Sequence, residues 1–251
     1  MTAFTEDVEK ALFLRRFDVP FWGITYVFGR NDMYWERIEN SFRRYSIVGT
    51  TVKDPKNQPK DVIADEKHSK RKGKKVYVAT TVGNDVISGA ALSPSASAKD
   101  LTVAYQEFAD EAKNVDPDYL PKTVNTDGWD ATQKAWLKLF PGITIILCHL
   151  HAFLGIKRRC SKKLRKLYFE IGDRVWVIYR EETKKSFSQR IRRLREQADK
   201  NVKNDIVLSE ILTLCDKKER FIVAYDHPDA YRTSNMSDRL MRWMDEYLFN
   251  R

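Results

Sequence analysis

Three short β-branched runs in close succession constrain the fold of this chain more than any other feature. They are Asp61–Glu66, Val76–Val82 and Val86–Leu92. A basic turn, His68–Lys75, joins the first two, and Gly83-Asn84 turns the second into the third. Runs so short and so closely joined are expected to pair as an antiparallel meander. Ala98–Val115 then has helical spacing, with Leu101, Tyr105 and Phe108 on one face. Thr123–Thr126 reads as a strand and Asp130–Phe140 as a helix, with Ala131, Ala135 and Leu139 on one stripe. Pro141-Gly142 ends that helix, and Ile143–Cys148 is a last apolar strand. A meander followed by crossover units predicts an α/β fold with a mixed sheet.

After Cys148 the strand signals stop. Helical patterns include Phe187–Ala198 and Ile206–Leu214, and a final helix, Met236–Leu248, follows the cap cluster Thr233-Ser234-Asn235. Ahead of the strands, residues 1–54 are rich in aromatics that fall on helical stripes, as do Tyr34, Ile38 and Phe42 within Asn31–Tyr45. They read as a helical packing subdomain. Lys53–Lys60 is polar and proline-bearing, as linkers are. The expected organisation is an N-terminal subdomain (1–54), an α/β core (55–148), an all-helical insertion (149–230) and a last core helix (231–251).

The 251 residues carry a formal charge of +10, and its placement is more telling than its size. Residues 149–230 hold 20 basic against 12 acidic side chains, while the rest of the chain is nearly balanced. Such a block is the footprint of a polyanionic partner. Three dense clusters fit contact with such a partner: the turn with Lys70, Arg71 and Lys72, ahead of the block; the run with Lys157, Arg158, Arg159, Lys162, Lys163 and Arg165; and the run with Arg190, Arg192 and Arg193. Charges of this kind neutralise phosphates without reading sequence. No apolar run approaches about 18 residues, so no membrane span is expected. Three widely spaced cysteines, Cys148, Cys160 and Cys215, predict a reducing setting, and the N-terminus lacks a secretory pattern.

Asp127 falls where a strand stops and a helix begins, the edge at which open α/β sheets place ligands. An Asp before a helix also serves as a cap. Its neighbourhood carries a resemblance. Thr126-Asp127-Gly128-Trp129, Thr132-Gln133-Lys134-Ala135-Trp136, Leu139-Phe140-Pro141 and Ile145–His151 resemble prokaryotic insertion-sequence transposases of the DDE/D superfamily, Mutator-related group. Ala64–His68 and Arg232–Arg239 are similar to the same group, so the likeness spans roughly residues 55–251.

That resemblance implies a ribonuclease H-like core, an order the strands and helices share, with an all-helical insertion before the last helix. It implies three carboxylates, Asp65, Asp127 and Asp238, that hold two Mg²⁺ or Mn²⁺ ions. It also implies a Cys-x-x-His signature, Cys148 and His151, that orients DNA or the active-site frame. The sequence has no second Cys/His pair to close a zinc site around these two. The implied activity is two-metal DNA cleavage and strand transfer at element ends, by a homo-oligomer on DNA, in a prokaryotic cytoplasm at the nucleoid. Residues 1–60 show no helix-turn-helix and the chain stops within the last helix, which reads as a truncated copy or the C-terminal part of one. A nuclease without strand transfer and a non-catalytic DNA-binding remnant remain the alternatives.

Overall fold

Three short helices open the chain: α1 (Thr5–Arg15), α2 (Phe21–Phe28) and α3 (Asp32–Phe42). The computed structural model describes residues 5–15, 17, 19–42, 54–160 and 164–249. Tyr45, Lys53, Lys162 and Lys163, all singled out above, lie outside the described residues. Ala11, Ile24 and Trp35 form a small core, and the Trp35 indole N–H donates to the Gly29 carbonyl at 2.8 Å. The aromatic stripes are only partly inward. Phe13, Phe17, Trp22 and Tyr26 are exposed, because three short helices enclose too little volume to bury them all.

The expected linker ends on the core. Asp54 caps a 3₁₀ turn at Pro55–Asn57 by accepting from the Lys56 amide, and the next residues are buried. Gln58 Nε2 donates to the Ala112 carbonyl at 2.8 Å, and the Tyr119 hydroxyl donates to the Pro59 carbonyl at 2.7 Å.

Two tight turns then set the meander. Lys72 and Gly73 have φ of 50° and 77°, and Asn84 and Asp85 have φ of 49° and 63°. Two central residues at positive φ make the hairpin turn whose twist suits paired strands. They join β1 (Asp61–Arg71), β2 (Lys74–Gly83) and β3 (Val86–Ser93). The segment His68–Lys75, expected as a turn, is therefore mostly strand. Only Lys72 and Gly73 leave the ladder, because Arg71 already pairs with Lys74. Backbone pairing does not depend on apolar side chains, so a run of charge hid the strand ends.

Helix α4 (Ala98–Val115), capped by the Ser97 hydroxyl on the Asp100 amide, carries the chain across to β4 (Thr123–Thr126). Helix α5 (Asp130–Leu139) leads on to β5 (Thr144–Leu147). The sheet order is β3-β2-β1-β4-β5, with β1, β4 and β5 parallel and the meander antiparallel. This is an α/β protein with a mixed five-stranded sheet. Its main core lies between one sheet face (Val62, Ala64, Ala79, Val124) and α4 and α5 (Leu101, Tyr105, Phe108, Trp136). The Trp136 and Phe140 rings stack there at 5.5 Å.

Beyond β5 the described chain is helical: α6 (His149–Arg159), α7 (Arg165–Tyr179), α8 (Lys184–Asn201), α9 (Asp205–Asp216), α10 (Lys218–Ile222) and α11 (Asn235–Phe249). Side-chain caps start α8 and α9, from Thr183 to the Ser186 amide and from Asn204 to the Val207 amide. Helices α6 to α10 share a second core that includes Phe153, Val175, Phe187, Ile191 and Ile211. Helix α11 returns to the sheet, packing on β1, β2 and β3. Among the described residues no helix is long and apolar enough to cross a membrane.

Candidate active site

The parallel pairing of β1 with β4 fixes the first two carboxylates. Asp61 pairs with Thr123, Val62 with Val124 and Ile63 with Asn125. Asp65 and Asp127 each lie two residues further along. Side chains alternate along a strand, so both continue the face of Ile63 and Asn125. Two rungs down the same face, Asp61 accepts from the Thr123 hydroxyl at 2.6 Å. Asp127 has left the ladder, and its carboxylate accepts from the Trp129 amide at 2.7 Å, an Asx-type turn. Gly128, at φ 97°, lets the chain turn from strand to helix there.

Asp65 is half-buried and Asp127 is exposed. Burial lifts the Asp65 carboxyl to about 6; His151 pulls it down, while the charges of Asp238 and then Asp127 push it further up. Asp65 is therefore the residue on which the other two carboxylates act. Asp238 stands exposed in the first turn of α11, its amide bonded to the Ser234 carbonyl.

The segment before α11 is sewn to the sheet edge. Asn125 Nδ2 donates to the Tyr231 carbonyl at 2.9 Å, and the His149 amide donates to the Arg232 carbonyl at 3.1 Å. The Ser234 amide reaches Cys148 Sγ at 3.2 Å. The Ser234 hydroxyl lies 3.4 Å from that sulfur and 3.2 Å from His151 Nδ1. Cys148 and His151 thus hold the head of α11, and with it Asp238, against the end of β5. Burial works against a charged His151, but the Cys148 sulfur, then Asp65 and Asp127, keep its proton and lift it to about 9. Ser234 had looked like a helix cap, yet its hydroxyl serves this latch.

Glu66 follows Asp65 and so points to the opposite sheet face, where it is buried beneath α4 and α5. One carboxylate oxygen accepts from the Tyr105 and Thr132 hydroxyls, each at 2.7 Å. Burial raises its carboxyl to about 7 against the pull of both hydroxyls. Alternation gave its face; only the helix layer reveals its partners. His149, beside the signature pair, is a core residue. Its ring packs on Trp176, Tyr179 and Phe221 and bonds the Val175 carbonyl at 3.2 Å.

A cavity of about 120 Å³ opens beside Asp127, lined by His151, Gly155, Glu210 and Lys217 among others. The basic clusters lie around the protein rather than in it. Lys157, Arg158, Arg159, Arg165, Arg190, Arg192 and Arg193 are all exposed. Several are engaged: Arg159 with Glu210, Arg190 with Glu181, Arg192 with Glu196. Lys70, Arg71 and Lys72 sit at the far end of the β1–β2 hairpin.

Asp65, Asp127 and Asp238 offer oxygen donors only, the set that hard divalent cations take. Among the described residues, no three His, Cys, Asp or Glu side chains stand as a ready-formed ligand group. Two other acids near the end of the chain have partners of their own, Asp226 with Lys184 and Glu219 with Lys218. No protein-family model matches this sequence, and no curated protein is significantly similar to it.

Proposed function

We propose that the chain is a DDE/D-type transposase with a ribonuclease H-like core, cutting DNA at insertion-sequence ends and joining the freed 3′ end to target DNA. The observation that carries this reading is that the charges of Asp238 and Asp127 both act on the Asp65 carboxyl beside the end of β4, although successive members of the set are 62 and 111 residues apart in sequence. The order of the sheet, a meander on one side of β1 and parallel strands on the other, supports the ribonuclease H-like assignment. The resemblance to the Mutator-related group points the same way.

Asp65, Asp127 and Asp238 would hold two Mg²⁺ or Mn²⁺ ions. The donor set fits: a half-buried carboxyl raised to about 6 by burial and by like charges is relieved by a cation. Bound there, the ions would supply charge for an attacking oxygen and for the leaving oxygen of a phosphodiester. Asp65 is the buried anchor of the set and Asp127 its solvent-facing member. Asp238 comes from α11 and depends on the Ser234 latch for its position. His151, protonated at neutral pH, puts a positive charge beside the carboxylates and favours an incoming phosphate.

The test is a labelled duplex carrying a 3′-hydroxyl end, incubated with plasmid and Mg²⁺ or Mn²⁺. Joined products are the expected result. Cleavage without joining would favour a hydrolytic nuclease, and metal-independent binding alone a non-catalytic remnant.

A further inference from the structure

The hairpin of β1 and β2 outgrows its sheet. On one side β4 pairs with β1 only as far as Ile63, and on the other β3 leaves β2 at Tyr77. Ser69–Arg71 and Lys74–Val76 therefore run on as a two-stranded ribbon. At about 3.3 Å per residue, its tip stands roughly 20 Å beyond Asp65 along the strand.

The ribbon sets like charges against one another. Lys70 pairs directly with Lys75, and Arg71 with Lys74. Each such pair works against the ladder. Lys72 occupies the turn at positive φ, a place that favours Asn or Gly. Among the described residues, the side chains of Lys70, Arg71, Lys72 and Lys74 meet no carboxylate. In the helical block only some basic side chains are paired, among them Arg159, Arg190, Arg192 and Arg195. Folding gains nothing from concentrating charge here; a polyanion between these side chains would.

An aromatic track runs from the ribbon to Trp129 on the sheet face of Glu66, opposite that of Asp65. His68 meets Tyr77 edge-on at 4.9 Å, Lys75 stands over Tyr77 at 5.1 Å, and Tyr77 meets Trp129 at 6.0 Å, two residues past Asp127.

We infer that the β1–β2 ribbon is an arm that enters the major groove of duplex DNA beside the carboxylate cluster. The inference rests on the reading of the chain as a protein that acts on DNA. A two-stranded ribbon fits the B-form major groove, and its two charged faces then reach the phosphates of both walls. The deep, narrow major groove of duplex RNA does not admit it.

The test uses the full chain with Asp65→Asn, which binds without turnover, and the same protein with Lys70, Arg71, Lys74 and Lys75 changed to Thr. Salt titration on a random-sequence DNA duplex should show a slope of log K against log salt smaller by about 3.6, at about 0.9 per lost phosphate contact. Changing only Lys70 and Lys75 should lower it by about 1.8. Dimethyl sulfate protection of guanine N7 should be present with the ribbon and absent without it. The four-Thr protein should melt at or above the parent temperature, since the like-charge pairs are gone. An unchanged slope with intact N7 protection would overturn the arm while leaving DNA binding in place, and so would equal affinity for duplex RNA. Absence of DNA binding by both proteins would overturn the functional reading together with the arm.

Discussion

Asp65 and Asp127 each lie two residues beyond the Ile63–Asn125 pair of adjacent parallel strands, Asp65 within β1 and Asp127 just past the end of β4. Strands in such a pair run about 4.8 Å apart, so this register brings two carboxylates together from positions far apart in the chain. Asp65→Asn and Asp127→Asn should each abolish Mg²⁺- or Mn²⁺-dependent cleavage and leave DNA affinity within about twofold of the parent. Amide side chains keep the shape but remove the charge that a cation needs. Single-turnover cleavage and gel-shift assays on the same preparations check both halves of this expectation.

Asp238→Asn separates a ligand from a helix-starting charge. Asn is at home near helix starts, so the melting temperature should stay within a few degrees while cleavage disappears. A well-folded Asp238→Asn protein that cuts DNA at the parent rate would remove Asp238 from the site. Glu219 and Asp226, two other acids of the same part of the sequence, pair with Lys218 and Lys184.

Ser234→Ala tests the latch. The side chain is buried and its hydroxyl lies against both Cys148 and His151. Removing it should cost about 1–3 kcal/mol, the usual penalty for leaving buried polar partners unmet. Cleavage should fall further than stability, because α11 carries Asp238. Ser234→Thr, which keeps the hydroxyl, should recover part of the cleavage rate, and denaturant titration alongside rate measurements separates the two effects.

His149 gives a pH dependence of known sign. Burial holds its pKa down at about 4, helped by Arg232 and opposed by the Val175 carbonyl. Between about pH 6.5 and 4 the unfolded chain binds a proton that the folded one refuses, so stability falls as pH falls through that window. The full effect is on the order of 3 kcal/mol at about 1.4 kcal/mol per pKa unit. His149→Phe keeps a ring among Trp176, Tyr179 and Phe221 and should flatten this part of the profile. Urea unfolding of both proteins at pH 7 and 4.5 provides the measurement.

Much of the core was legible because its signals are local. The helix Ala98–Val115 matches its pattern to the residue, since apolar spacing, the Ser97 cap and the flanking loops all agree. The mixed sheet followed from element order, a meander and then crossover units. What escaped depends on partners distant in sequence. Glu66 is buried only because Tyr105 and Thr132 arrive above it, and Ser234 bonds Cys148 and His151, more than eighty positions away. The hairpin ends were missed for another reason: charge marks exposure, and exposure was mistaken for a turn. Lys162 and Lys163 lie outside the described residues, so the densest basic run is seen only in part.

The amide of His149 meets the carbonyl of Arg232, and everything from α6 to α10 hangs between those two residues. The helical block leaves the sheet and comes back through one doorway. It has its own apolar core, which meets the sheet at Leu147, while Ala224 and Ala230 pack on Ile146 and Arg220 donates to Gln133 of α5. Lengthening a loop whose ends stay together adds only about 0.6 kcal/mol per doubling. The block is therefore an exchangeable cassette. Helices could be added, trimmed or replaced there without moving the doorposts that hold Asp238 over Asp65.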